Sequence, residues 1–134
     1  MPSLAHHERA LDTFSLLVID DQRVFHAAID LMCQADGGIE IVGAATSVAE
    51  GIAALACDPD LVLIDVNMAG VDGMTGARMI LADRPELPIV VCSTARLGEL
   101  PALPQHPGVM FVSKEDLDAD VLRGWYRARR PGHG

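Results

Sequence analysis

Hydrophobic and polar positions divide the chain into two alternating kinds of segment. Strand-like apolar runs recur at "SLLVI", "IEIVGA", "LVLI", "PIVVC" and "VMFV", beginning at Ser15, Ile39, Leu61, Pro88 and Val109. Most of them are apolar throughout rather than alternating, which suits parallel strands covered on both faces. Most of the segments between them show helical spacing, and parallel strands need crossover connections of that kind. The pattern predicts five βα repeats, an α/β fold with a doubly wound five-stranded parallel sheet.

Cap and stop signals sharpen the helices. The first is expected from about Arg23 to Gln34, with Val24, Ala28, Leu31 and Met32 as its buried stripe and an end at "DGG". Ser47 followed by Glu50 is a capping-box signature that opens the second, and Asp58-Pro59 closes it. The third spans about Met74 to Asp83, ahead of Pro85, and the last about Asp116 to Arg129, with Leu117, Val121, Leu122 and Trp125 facing inward. Residues 1–13 are expected to be an N-terminal extension, 14–129 the folded domain, and 130–134 a flexible tail.

Composition narrows the function classes. With 134 residues, half of them hydrophobic, the chain can bury one core and is too short for two ordinary domains. A net charge of −9 opposes the phosphate-backbone attraction that underlies non-specific nucleic-acid affinity, so direct DNA binding is not expected. The first residues are too polar for a signal peptide and no apolar run approaches membrane-spanning length, so the expected location is cytoplasmic, away from membranes. Cys33, Cys57 and Cys92 are odd in number and lack metal-ligand spacing; they are expected to be reduced and structural.

Open parallel sheets place ligand sites at the carboxyl ends of their strands. Here the first run ends in Asp20-Asp21, the third in Asp65, the fourth in "CSTA" with Ser93 and Thr94, and the fifth in Ser113-Lys114. Taken singly, an aspartate after a strand commonly caps a helix or turns a loop. Gathered on one sheet edge, three acids repel one another and recruit a hard cation, and Mg²⁺ takes such oxygen ligands. A carboxylate beside that ion can act as nucleophile toward a phosphoryl group. A hydroxyl and an ammonium on neighbouring strand ends would hold the phosphoryl oxygens.

"LLVIDDQRVF", "PDLVLIDVNMAGVDG", "LPIVVCSTA" and "FVSK" together resemble, in order and spacing, the CheY-like receiver domain of two-component response regulators, over about Phe14 to Arg129. The resemblance implies that Asp65 is the phosphoacceptor, that Asp20 and Asp21 hold Mg²⁺ with Asp65, and that Asn67 gives its backbone carbonyl to the metal. Ser93 takes the Ser/Thr position, with Thr94 as the alternate, Lys114 the lysine, and Phe111 the aromatic switch position. It further implies a histidine kinase, phosphotransfer protein or small molecule as phosphodonor, and a protein partner that reads the phosphorylated surface. No catalysis is expected beyond the domain's own phosphorylation and dephosphorylation.

Some positions depart from the family pattern. Ala69 stands where proline is usual, Glu115 follows Lys114 where many members have a proline after a cis bond, and Pro101, Pro104 and Pro107 crowd the place of the family's fourth helix, predicting a short helix or a loop there. Three other readings fit parts of the sequence: a receiver piece of a longer DNA-binding regulator, a haloacid-dehalogenase-like phosphatase, and a flavodoxin-like binder. The phosphatase pattern requires a second aspartate where Asn67 stands, and the acids of "DDQRV" would repel a flavin phosphate.

Overall fold

The computed structural model describes residues 13–68, 70–94 and 106–129. Within them the order is β1 (Phe14–Ile19), α1 (Arg23–Asp36), β2 (Ile39–Ala45), α2 (Val48–Ala54), β3 (Leu61–Asp65), α3 (Gly73–Asp83), β4 (Ile89–Ser93), β5 (Val109–Ser113) and α4 (Ala119–Arg129). All strand pairs are parallel, in the order β2-β1-β3-β4-β5. The chain leaves β1 for one edge and then returns past it to β3. The carboxyl ends of β1 and β3 therefore flank the point where the winding reverses, the place such sheets keep for ligands.

Successive strand residues point to opposite faces, which divides the core in two. Leu17, Ile19, Val62, Ile64, Ile89 and Val91 pack with Met74, Ala77 and Ile80 of α3 and Val48 of α2. Leu16, Val18, Leu61, Leu63, Val90 and Cys92 pack with Ile29 and Cys33 of α1 and Leu122 of α4. Covering on both faces explains why the central strands are apolar without alternation.

The buried stripe expected on α1 holds at Met32, which packs against the core, and fails at its other three positions. Val24 is 83% exposed and Leu31 67%, and Ala28 is exposed too. The buried residues are Ile29 and Cys33, with Phe25 and Met32 packed beside them. The helix carries two overlapping apolar stripes, and the sheet takes the one led by Phe25. Gly37, in the left-handed region at φ 80°, closes the helix with its N–H on the Cys33 carbonyl.

The other ends follow local chemistry. Ser47 accepts from the Glu50 N–H as expected, but Glu50 reaches back to the Thr46 N–H and hydroxyl (2.7 and 2.8 Å). Those bonds hold the Glu50 carboxyl below its usual range. The last helix begins at Ala119, later than Asp116, because Lys114–Asp116 form a 3-10 turn and Asp118 accepts from the Val121 N–H as its cap (2.8 Å). A forked pair from Arg123 to Asp36 ties α4 to the end of α1. Cys33 and Cys92 are buried free thiols, and burial pushes Cys33 up to about 11; Cys57 is exposed, contrary to a structural role for all three.

No peptide bond among the described residues is cis, so the bond after Lys114 is trans. The region of Pro101 and Pro104, with Ala69, residues 1–12 and 130–134, lies outside the described residues. Among the described residues no helix is long and apolar enough to cross a membrane.

Candidate functional site

The acids meet because adjacent strands end level with one another. Asp20 immediately follows β1, its N–H continuing the ladder to the Ala45 carbonyl (2.9 Å). Its side chain is fully buried, an arrangement a carboxylate tolerates only with partners. Oδ1 accepts from the Gln22 N–H at 2.7 Å and Oδ2 from Lys114 Nζ at 2.9 Å. Asp21, next in the chain, is exposed. Asp65 ends β3 opposite Cys92 of β4 and is 3% exposed.

Carboxylate oxygens of Asp20, Asp21 and Asp65 lie within 4.8 Å of one another. That spacing suits a single hard cation, and the acid-only donor set suits Mg²⁺ or Ca²⁺ better than a softer metal. Burial raises the Asp65 carboxyl above its ordinary value; Lys114, at 3.8 Å from Oδ1, pulls it back, while Asp20 pushes it up again. The balance leaves a carboxylate whose charge is under-compensated.

Around this cup stand the remaining predicted residues. Ser93 ends β4 opposite Ser113 of β5, is fully buried, and accepts from Asn67 Nδ2 at 3.1 Å. Thr94, one residue beyond the strand, is exposed, so Ser93 is the hydroxyl turned into the protein. Lys114 follows β5 directly and reaches back across the sheet to Asp20 and Asp65. Phe111, paired with Val91, is partly buried against the core of α2 and α3. The structure thus brings together Asp20, Asp21, Asp65 and Lys114, joins Asn67 to Ser93, and packs Phe111 against the core cluster of α2 and α3.

Three residues at the site were not singled out by sequence reasoning. The Phe25 ring lies against the Lys114 ammonium, 4.1 Å from Nζ to the ring centroid. His26 Nε2 is 2.6 Å from the Asp20 carbonyl oxygen. Gly73 opens α3 so close to the end of β3 that a Cβ there would run into the Asp65 carbonyl and lie 2.8 Å from the Val66 Cα. The available signal was positional: the first turn after "DD" has to hang over the end of β1.

A buried carboxylate, two further acids within 4.8 Å and an ammonium within ion-pair reach form a set that suits phosphoryl chemistry, where positioning and charge neutralisation dominate. The family model for the response regulator receiver domain matches residues 16–115. A protein-glutamate methylesterase/protein-glutamine glutaminase of Oleidesulfovibrio alaskensis is 33% identical over 132 residues, covering 87% of this chain and 36% of that protein. One from Anaeromyxobacter dehalogenans is 33% identical over 90 residues, covering 66% of this chain and 25% of that protein. Among the methylesterase relatives described, this chain spans between 22% and 37% of their length. The crystal structure of a response regulator receiver protein from Sinorhizobium medicae shares the fold, with a TM-score of 0.72 at 23% identity over 90% of this chain and 99% of that one. With its sheet order, its acidic strand ends and the family match over residues 16–115 in agreement, the chain belongs to the response regulator receiver domain family.

Proposed function

We propose that Asp65 accepts a phosphoryl group from a histidine kinase, a phosphotransfer protein or a small acyl phosphate, and that the phosphorylated domain signals to a protein partner. The observation that carries this reading is the setting of Asp65: 3% exposed, within 4.8 Å of two other acids and 3.8 Å from an ammonium. In the transfer a carboxylate oxygen of Asp65 bonds to phosphorus as the bond from phosphorus to the donor breaks, and the donor leaves with that electron pair. Asp20, Asp21, Asp65 and the Asn67 carbonyl would hold Mg²⁺, which when bound neutralises phosphoryl charge. Lys114 meets a phosphoryl oxygen, and the Ser93 hydroxyl, whose oxygen accepts from Asn67, donates its proton to another. Phe111 takes the switch position by family resemblance.

The methylesterase relatives contain a matching segment in a minor part of their length, which favours a second reading in which the domain governs a linked effector unit rather than a diffusing partner. Either way the first step is the same. Intact-mass analysis after incubation with acetyl phosphate and Mg²⁺ should show one added phosphoryl group, absent with EDTA and absent in Asp65→Asn. Equal labelling of that variant would overturn the assignment.

A further inference from the structure

We propose that Phe25 is a positioning residue that keeps the Lys114 ammonium over the acidic cup when Asp20 turns its carboxylate to a cation. The functional consequence rests on the phosphoacceptor reading above; the structural half stands on side-chain geometry alone. Lys114 carries its charge on a flexible four-carbon stem and has no intrinsic preference for this spot. Among the described residues two contacts hold Nζ closely: Asp20 Oδ2 at 2.9 Å and the Phe25 ring at 4.1 Å, while Asp65 Oδ1 lies at 3.8 Å, outside hydrogen-bond distance.

The Asp20 contact is the one that cation binding competes for. An Asp20 carboxylate shared with a divalent ion has less charge to offer the ammonium, and the ion itself repels the lysine. The face of an aromatic ring attracts an ammonium whatever Asp20 is doing, and more strongly where water is excluded. The Lys114 side chain is 13% exposed, which meets that condition.

The ring is also anchored. The Phe25 N–H bonds the Gln22 carbonyl at 3.1 Å, His26 Nε2 meets the Asp20 carbonyl, and the ring packs on the buried cluster beneath α1. The first turn of α1 is therefore fixed to the end of β1, and the ring keeps its place when the acids rearrange. A leucine at this position would fill the space without supplying the negative ring face.

Lys114 is the single lysine of the chain, so its methylene resonances are assignable in a lysine-labelled sample. In the wild-type protein they should be moved upfield by the ring, and should stay upfield when Mg²⁺ is added without any phosphodonor. Their return to ordinary values on adding Mg²⁺ would overturn the proposal, and that measurement needs no variant to fold. With saturating Mg²⁺ and acetyl phosphate, Phe25→Leu should lower the maximum labelling rate about three- to tenfold, the range a partly shielded cation–π contact supplies, with Mg²⁺ affinity changed less than about twofold. Phe25→Tyr should restore the rate. A Phe25→Leu protein labelled at the wild-type maximum rate would sink the functional half. Failure of wild type itself to be labelled would instead count against the phosphoacceptor reading, with the resonance shifts still deciding the Phe25 contact.

Discussion

Replacing the Asp65 carboxylate by its neutral isostere should stabilise the cation-free protein. At an effective dielectric constant of about 20, Lys114 at 3.8 Å attracts the Asp65 charge by about 4 kcal/mol, and Asp20 within 4.8 Å repels it by about 3.5 kcal/mol. Asp21 is exposed, so its repulsion is screened to about 1 kcal/mol at the dielectric constant of water. The three nearly cancel. What remains is the removal from water of a carboxylate 3% exposed, a penalty of several kcal/mol for an ion but only about 1–3 kcal/mol for a neutral amide. Asp65→Asn should therefore raise unfolding stability by about 1–2 kcal/mol, the burial cost being offset in part by the Asn67 backbone N–H.

Urea unfolding in EDTA at neutral pH tests this, and the pH dependence supplies a second check. A folded carboxyl raised above its ordinary value means that the folded state holds the proton more tightly than the unfolded one. Stability from this group is thus present in full below the ordinary carboxyl value and is lost as pH rises through the folded value. The advantage of Asp65→Asn should accordingly shrink toward zero as pH falls below about 4, where wild-type Asp65 is protonated in both states. Adding Mg²⁺ at neutral pH should stabilise wild type more than the variant. A variant less stable than wild type by more than about 1 kcal/mol in EDTA would show that the Lys114 pair outweighs desolvation, and the under-compensated carboxylate would have to be abandoned.

Gly73→Ala should destabilise the protein by about 1–3 kcal/mol and weaken Mg²⁺ binding measured by calorimetry, because the added methyl meets the backbone at Asp65 and Val66 rather than a yielding side chain. Unchanged metal affinity would mean that the strand end moves without carrying Asp65 along. On α1, Ile29→Ala should cost about 2–4 kcal/mol in denaturant unfolding, while Leu31→Ala changes stability by less than about 0.5 kcal/mol. Equal costs would show that the first helix packs on the other stripe.

The two apolar stripes of α1 mark where sequence reasoning runs out and why. Strand positions were legible because a run buried on both faces needs no choice of side, and the five runs appear within one or two residues of their expected bounds. The acids, Ser93 and Lys114 were legible for a related reason: each sits at or just after a strand's end, so knowing the strands fixes where the backbone delivers them. A helix offers no such shortcut. Val24, Ala28 and Leu31 satisfy helical periodicity as well as Phe25, Ile29 and Cys33 do, Met32 suits both sets, and about 100° of rotation separates Val24 from Phe25 and Ala28 from Ile29. What breaks the tie lies outside the helix. The Gln22 carbonyl accepts from the Phe25 N–H and the Asp20 backbone carbonyl meets His26, so the rotation of the first turn is set by the strand end it follows. That rotation carries Phe25 over Lys114 and leaves Val24 and Leu31 outside. The contacts at the end of β1 thus decide which face of α1 is core, and burying the other stripe would take the aromatic ring away from the ammonium.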